Sequence, residues 1–234
     1  MTTLILLRHG RSSANAAGVL AGRSPGVELD ETGRAQAEKV VERLAPLPIA
    51  EIVTSPMTRC RQTVAPLAAA RGLTPVLDEG FNEVDYGSWT GGTLKALAKE
   101  PLWKVVQAHP SAAVFPAGEG LAGMQARAVA AVRAHAARIA AEHGPNALWL
   151  ACSHGDVIKA VLADALATHL DNFQRIMIDT CSVSVVQYTE TRPFVARVND
   201  LGDGPGALAG LVPPKKRRRR SGTRSSDAVV GGST

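Results

Sequence analysis

Short apolar runs of strand length alternate along this chain with stretches whose apolar residues recur at helical spacing. That alternation dictates a largely parallel sheet covered by helices on both faces. The first run occupies residues 4–7. It is followed by helical spacing of Ala35, Ala37, Val40, Val41 and Leu44 behind Asp30 as N-cap, then by a run at 49–54. Ser55-Pro56 opens a second helix with proline in its first turn, and residues 75–77 form a short third strand. A long alanine-rich helix is predicted from about Gly120 to His143. After it come a strand at 147–151, a loop Cys152-Ser153-His154-Gly155 and a helix at 156–168. Alternating stretches at 182–188 and 194–198 add two strands, one of them antiparallel at an edge. The predicted fold is α/β: a three-layer αβα sandwich with a mainly parallel central sheet, one antiparallel edge strand and a small cap segment.

The cap is assigned to about 84–119, where Trp89, Trp103, Phe115, Pro101, Pro110 and Pro116 break the βαβ rhythm. With 234 residues, 45% of them hydrophobic, and no long polar linker before residue 200, the chain reads as one domain over 1–200. From 201 to 234 glycine, proline, serine and arginine dominate, which predicts a disordered basic tail. Residues 213–234 carry seven basic side chains against Asp227, a net +6, so the rest of the chain holds −1 of the +5 total. The charge therefore belongs to the tail. Lacking interleaved aromatics, the tail gives no expectation of nucleic-acid binding, and a solubilising role fits it better. Cys60, Cys152 and Cys181 are odd in number and have no metal-type spacing, so a reducing cytoplasm is expected, with neither disulfide nor zinc. The amino-terminal apolar run is too short for export or a membrane span. A homodimer through an edge strand is compatible with the pattern.

Two predicted strands end in a histidine followed by glycine, at Arg8-His9-Gly10 and Ser153-His154-Gly155. Open α/β sheets bind ligands at the carboxyl ends of their strands. Two imidazoles at that edge, with Arg8 beside one and Arg59 at the start of the second helix, form a cationic pocket suited to a phosphate dianion. Helix amino termini at 55–57 and near Asp156 add N–H donors. A neutral imidazole can take up a phosphoryl group when an acceptor fixes its tautomer. Arginines match phosphate oxygens with a permanent charge and can replace the metal ions of other phosphotransferases. A carboxylic acid must still protonate the departing alkoxide. Glu83 is the candidate because it follows the third strand and enters the cap, with Asp85 as its rival.

The segment Arg8-His9-Gly10-Arg11-Ser12-Ser13-Ala14-Asn15 resembles the RHG-x-[ST]-x-x-N signature of the histidine phosphatase, or phosphoglycerate-mutase-like, superfamily. Leu29-Asp30-Glu31-Thr32-Gly33-Arg34-Ala35-Gln36-Ala37 is similar to the family's L-[ST]-x-x-G-x-x-Q-A helix, and Ser55-Pro56-Met57-Thr58-Arg59-Cys60-Arg61-Gln62-Thr63 to its S-P-x-x-R-x-x-[QE]-T segment. Glu83 with Gly87-Ser88-Trp89-Thr90-Gly91 resembles E-x-x-x-G-x-W-[ET]-G, and Ser153-His154-Gly155 the second histidine motif. The resemblance spans about residues 3–198. It implies that His9 is phosphorylated, that Arg8, Arg59 and His154 hold the phosphoryl oxygens, and that Glu83 donates the proton. It also implies phosphate-loop positions at Asn15, Ala21 and Gly22, and a ping-pong course without metal or cofactor.

Glycolytic mutases of the family carry E-R-H-Y-G at the acid and H-G-N after the second histidine. This chain has Glu83-Val84-Asp85-Tyr86-Gly87 and His154-Gly155-Asp156, without the arginine that would grip a second acidic group. The favoured reading is a metal-independent phosphomonoester hydrolase acting on a small phosphorylated metabolite. The alternative is a phosphomutase using the same phospho-histidine. A third class, a non-catalytic module acting through the basic tail, is opposed by the joint presence of His9, Arg59, Glu83 and His154. The G-x-G-x-x-G match at 118–123 lacks a preceding strand and reads as a false dinucleotide motif. Its Glu119, in a Pro116-x-Gly118-Glu119 pattern similar to a family cap segment, is placed near the substrate. Trp89 and Trp103 are assigned to packing, and His109, His135, His143 and His169 have no metal-ligand spacing.

Overall fold

The computed structural model describes residues 1–202, so the predicted tail lies outside the described residues from position 203 onward. Strands β1 (Thr2–Arg8), β2 (Ile49–Thr54), β3 (Val76–Leu77), β4 (Ala147–Ser153), β5 (Val183–Tyr188) and β6 (Pro193–Asp200) form one sheet in the order β3-β2-β4-β1-β5-β6. The first four strands of that order run parallel. β5 is antiparallel to β1 and β6 to β5, which places the antiparallel pairing at one edge of a mainly parallel sheet.

β1 is an unbroken apolar run because both of its faces are covered. Side chains alternate across a strand. Leu4 and Leu6 pack with Met124, Val132, Val157 and Val161 of α6 (Leu121–His143) and α7 (Gly155–Ala165). On the other face Ile5 and Leu7 pack with Val40 and Leu44 of α2 (Glu31–Leu44) and Val64 and Leu67 of α3 (Thr58–Arg71). The two clusters are the two interfaces of the three-layer sandwich. A short α1 (Ser13–Ala17) follows the β1 loop, and Asp30 caps α2 by accepting from Gly33 N at 2.7 Å.

Element ends depart from the sequence reading where side chains capture the backbone. α3 begins at Thr58, not Ser55, because the Ser55 hydroxyl accepts from Met57 N (3.3 Å) and holds a turn ahead of the helix. β4 continues through Ser153, since the pairing of Leu7 with Cys152 and Arg8 with Ser153 prolongs the ladder. α7 stops at Ala165, and Ala167 turns the chain with a positive φ of 52°. The cap is more helical than its broken pattern implied. It contains α4 (Leu94–Leu97) and α5 (Pro101–Ala108), the latter opened by Pro101 where proline's missing N–H costs nothing. Trp89 stacks on Trp103 (6.2 Å) and meets Phe115 edge-on (5.3 Å), which in turn meets Tyr86 edge-on (4.9 Å). These aromatics join the cap to the cluster that covers Leu4 and Leu6. Residues 118–123 follow a turn and an isolated bridge, so they are no strand-to-helix nucleotide loop. Among the described residues no helix is long and apolar enough to cross a membrane.

α2 touches the loop after His9 backbone to backbone. A Cβ on Gly33 would stand 2.0 Å from Arg11 O, and one on Gly10 would stand 2.7 Å from Gly33 O. Within a helix, glycine to alanine ordinarily stabilises by about 1 kcal/mol. Here the clash reverses the sign: Gly33→Ala is expected to destabilise by roughly 1–3 kcal/mol. Thermal unfolding checks it, and a melting temperature at or above that of the parent chain would contradict the close approach.

Candidate active site

The parallel register pairs Arg8 of β1 with Ser153 of β4, so His9 and His154 leave the sheet side by side. His9 N donates to Ser153 O at 3.0 Å, and the two rings meet edge-on with centroids 5.2 Å apart. On the other flank of β4, Ser55 N donates to Cys152 O (3.0 Å) as β2 ends. Three adjacent strand ends thus deliver His9, His154 and Ser55 to one place, and the first turn of α3 brings Arg59. All four are buried, as are Arg8 and Glu83.

The His9 ring donates from Nδ1 to the carbonyl of Gly10 at 2.7 Å, which leaves Nε2 with its lone pair. Burial, then the charges of Arg59 and Arg8, hold its pKa well below the usual 6.5, so the ring is neutral at physiological pH. Thr63 locks this loop to α3: its hydroxyl accepts from Gly10 N (2.9 Å) and donates to Arg59 O (2.7 Å). His154 is likewise kept neutral by burial and by Arg59. Arg59 Nη2 donates to His154 Nδ1 (3.0 Å) and to Gly22 O (2.8 Å). His154 Nε2–H is therefore free to donate to Ser55 Oγ (2.9 Å), whose own proton goes to Asn82 Oδ1 (2.9 Å). Arg59 Nη1 is buried without a hydrogen-bond partner among the described residues. A buried guanidinium with an unmet donor fits an anion better than any neutral ligand. Arg8 Nη1 donates to Ile178 O at 2.7 Å, and burial lowers its pKa against the opposing pull of Glu83 and Asp156.

Glu83 is the one carboxyl of the site whose pKa is pushed up, to about 7, first by burial and then by the charge of Asp156, against Arg59 and the Val84 N–H on Oε1 (3.0 Å). Asp156 belongs to a buried chain that the sequence reading did not anticipate. Tyr86 Oη donates to Asp156 Oδ2 at 2.8 Å, Lys159 Nζ lies 3.5 Å from Asp156 Oδ1, and Nζ also donates to Gln174 Oε1 (3.1 Å). The rival acid Asp85 is spent locally, accepting from Gly87 N at 3.0 Å.

Of the implied phosphate-loop positions, Gly22 sits against Arg59, whereas Ala21 O accepts from Ser24 N (2.9 Å) inside its own turn. Asn15 Oδ1 is occupied by Ser12 N (3.0 Å) and Ser12 Oγ (2.8 Å), a capping box for α1. Glu119 is not left for a substrate; two arginines hold it. Sequence reading also missed Ser55, Asn82 and Thr63, although each lies within or beside a quoted motif. Among the metal-ligating types, the structure groups Glu51, Glu142 and His143 away from this site, with Arg138 already bonded to both carboxylates.

The profile described as Histidine phosphatase superfamily (branch 1) matches residues 4–201. The chain belongs to this superfamily. A relative, Phosphoserine phosphatase 1 of Hydrogenobacter thermophilus, is 27% identical over 85% of this chain and 92% of its own. "Probable phosphoglycerate mutase GpmB" of Yersinia pestis is 30% identical over 84% of this chain and 89% of its own. The solved structure of Bacillus stearothermophilus YhfR superposes with a TM-score of 0.78 at 27% identity, covering 86% and 98% of the two chains. The superfamily neighbours therefore include both phosphatases and mutase-like proteins, on the fold described above.

Proposed function

We propose that the protein is a phosphomonoester hydrolase that works through a phospho-histidine at His9 and needs no metal, acting on a small phosphorylated metabolite. The observation that carries this reading is the His9 ring: neutral, with Nδ1 committed to Gly10 O, and facing buried arginines. His9 Nε2 attacks phosphorus as the bond to the ester oxygen breaks, and Glu83 gives its proton to that oxygen. Arg8 and Arg59 hold the phosphoryl oxygens, and His154 joins them by turning its Nε2–H from Ser55 Oγ to a phosphoryl oxygen. Water then attacks phospho-His9 while Glu83, now ionised, takes the water proton. His9 and inorganic phosphate are released. A carboxyl titrating near 7 serves both half-reactions at neutral pH.

The mutase reading requires a group that retains a second anionic substituent. Arg23, partly exposed and next to Glu83, donates instead to Glu119 and to the Glu83 carbonyl, which favours hydrolysis. Incubation with 3-phosphoglycerate and a panel of other phosphomonoesters, with chelator present, is expected to yield free phosphate. Formation of 2-phosphoglycerate without phosphate would make the protein a mutase.

A further inference from the structure

Several segments of the site meet at a carboxylate that the proposed chemistry does not use. Glu119 ends the cap just before α6. Its Oε1 accepts from Arg127 Nη2 (2.7 Å), Arg23 Nη2 (2.9 Å) and Asp85 N (2.9 Å), and its Oε2 accepts from Arg127 Nε (3.1 Å). Its own N–H donates to Asp85 O at 2.9 Å, so residue 85 is gripped on both sides. The same two arginines converge on the residue two positions earlier: Arg23 Nε and Arg127 Nη2 donate to Glu83 O at 2.9 and 3.1 Å. Arg127 also reaches back to Gly80 O (2.9 Å), and Arg23 follows Gly22, whose carbonyl holds Arg59.

We infer that Glu119 is a positioning residue for the proton donor, and that through it the cap sets where the Glu83 carboxyl stands. This rests on reading Glu83 as the acid. Two guanidinium groups gathered on one peptide carbonyl repel each other unless a carboxylate lies between them. Glu119 supplies that charge and at the same time fixes the next peptide through Asp85. The cap and the acid loop are also in backbone contact: a Cβ on Gly118 would fall 2.3 Å from Asp85 O and 2.6 Å from Gly87 N. A displacement of the cap is therefore passed to Glu83 without any side chain to absorb it. Acid positioning and substrate selection share one element, because a change in the cap alters both.

The test compares leaving groups in Glu119→Gln, which keeps the shape and the acceptor for Asp85 N but removes the charge that holds the arginines. Hydrolysis of an alkyl phosphomonoester, which needs the proton, is expected to fall on the order of 10- to 100-fold in kcat/KM. With p-nitrophenyl phosphate, whose leaving group departs unprotonated, the fall is expected to stay within about threefold. In a Glu83→Gln background, Glu119→Gln is expected to cost nothing further with the alkyl ester. Arg23→Met, which alters a side chain one-third exposed, should show the same selective loss in smaller measure and decides the matter if Glu119→Gln does not fold. Equal losses with both esters, or additive losses with Glu83→Gln, would overturn the inference while leaving the hydrolase reading intact. A parent chain that releases no phosphate from either ester would overturn both.

Discussion

His9→Ala is expected to abolish phosphoryl transfer while the chain still folds. The nucleophile leaves with the ring, and neither water nor His154 replaces it: His154 has Nδ1 occupied by Arg59 and Nε2 by Ser55. Loss of a committed nucleophile costs at least about 10³-fold in turnover. The fold has less at stake. The one side-chain bond lost is that to Gly10 O, worth roughly 1 kcal/mol, whereas the backbone bond from His9 N to Ser153 O survives the change. Rapid quenching with a poor substrate should trap an acid-labile, base-stable phosphoprotein in the parent chain and none in His9→Ala, at nearly equal melting temperatures. Near-normal turnover in the variant would falsify the phospho-histidine mechanism.

Glu83→Gln carries the second large effect, and pH reveals it. A carboxyl whose pKa is raised by burial and by Asp156 to about 7 is protonated below that pH and ionised above it. Hydrolysis of an alkyl ester requires the protonated form, so kcat/KM should decline roughly tenfold per unit above about pH 7. His9, held well below 6.5, remains neutral through the weakly acidic range, which places its limb on the acid side of the profile. Glutamine fills the same space but neither gives nor takes a proton. Alkyl-ester turnover is expected to fall by about 10²- to 10⁴-fold, and the limb near pH 7 should vanish. With p-nitrophenyl phosphate, whose leaving group needs no proton, phosphoenzyme should instead accumulate in Glu83→Gln, since no base activates the water. An unchanged alkaline limb in Glu83→Gln would assign that titration to another group.

The elements were legible because each rests on local chemistry. An apolar run such as residues 4–7 needs a sheet buried on both faces, and Asp30 ahead of helical spacing marks a helix start. The start of the second helix was misplaced where a side chain captured neighbouring backbone, as Ser55 does ahead of α3. Such short-range competition depends on geometry rather than on residue type alone. In the cap, Pro101 read as a breaker although it opens a helix, because the same missing N–H serves both purposes.

For the candidate site, the sequence by itself determined which groups are available: two histidines each followed by glycine at strand ends, the arginines beside them, and an acid entering the cap. Their association was already dictated in part, because parallel strands bring their carboxyl ends to one edge. Tertiary structure alone decided how each group is tuned. The tautomer of His154 depends on Arg59, 95 residues away, and the elevated pKa of Glu83 on burial beside Asp156. Glu119 was turned from a candidate substrate contact into the anchor of two arginines by Arg23 and Arg127, which arrive from different segments. Such terms fall off within a few ångströms and rise steeply with desolvation. They are set by neighbours in space, and spacing along the chain does not encode them.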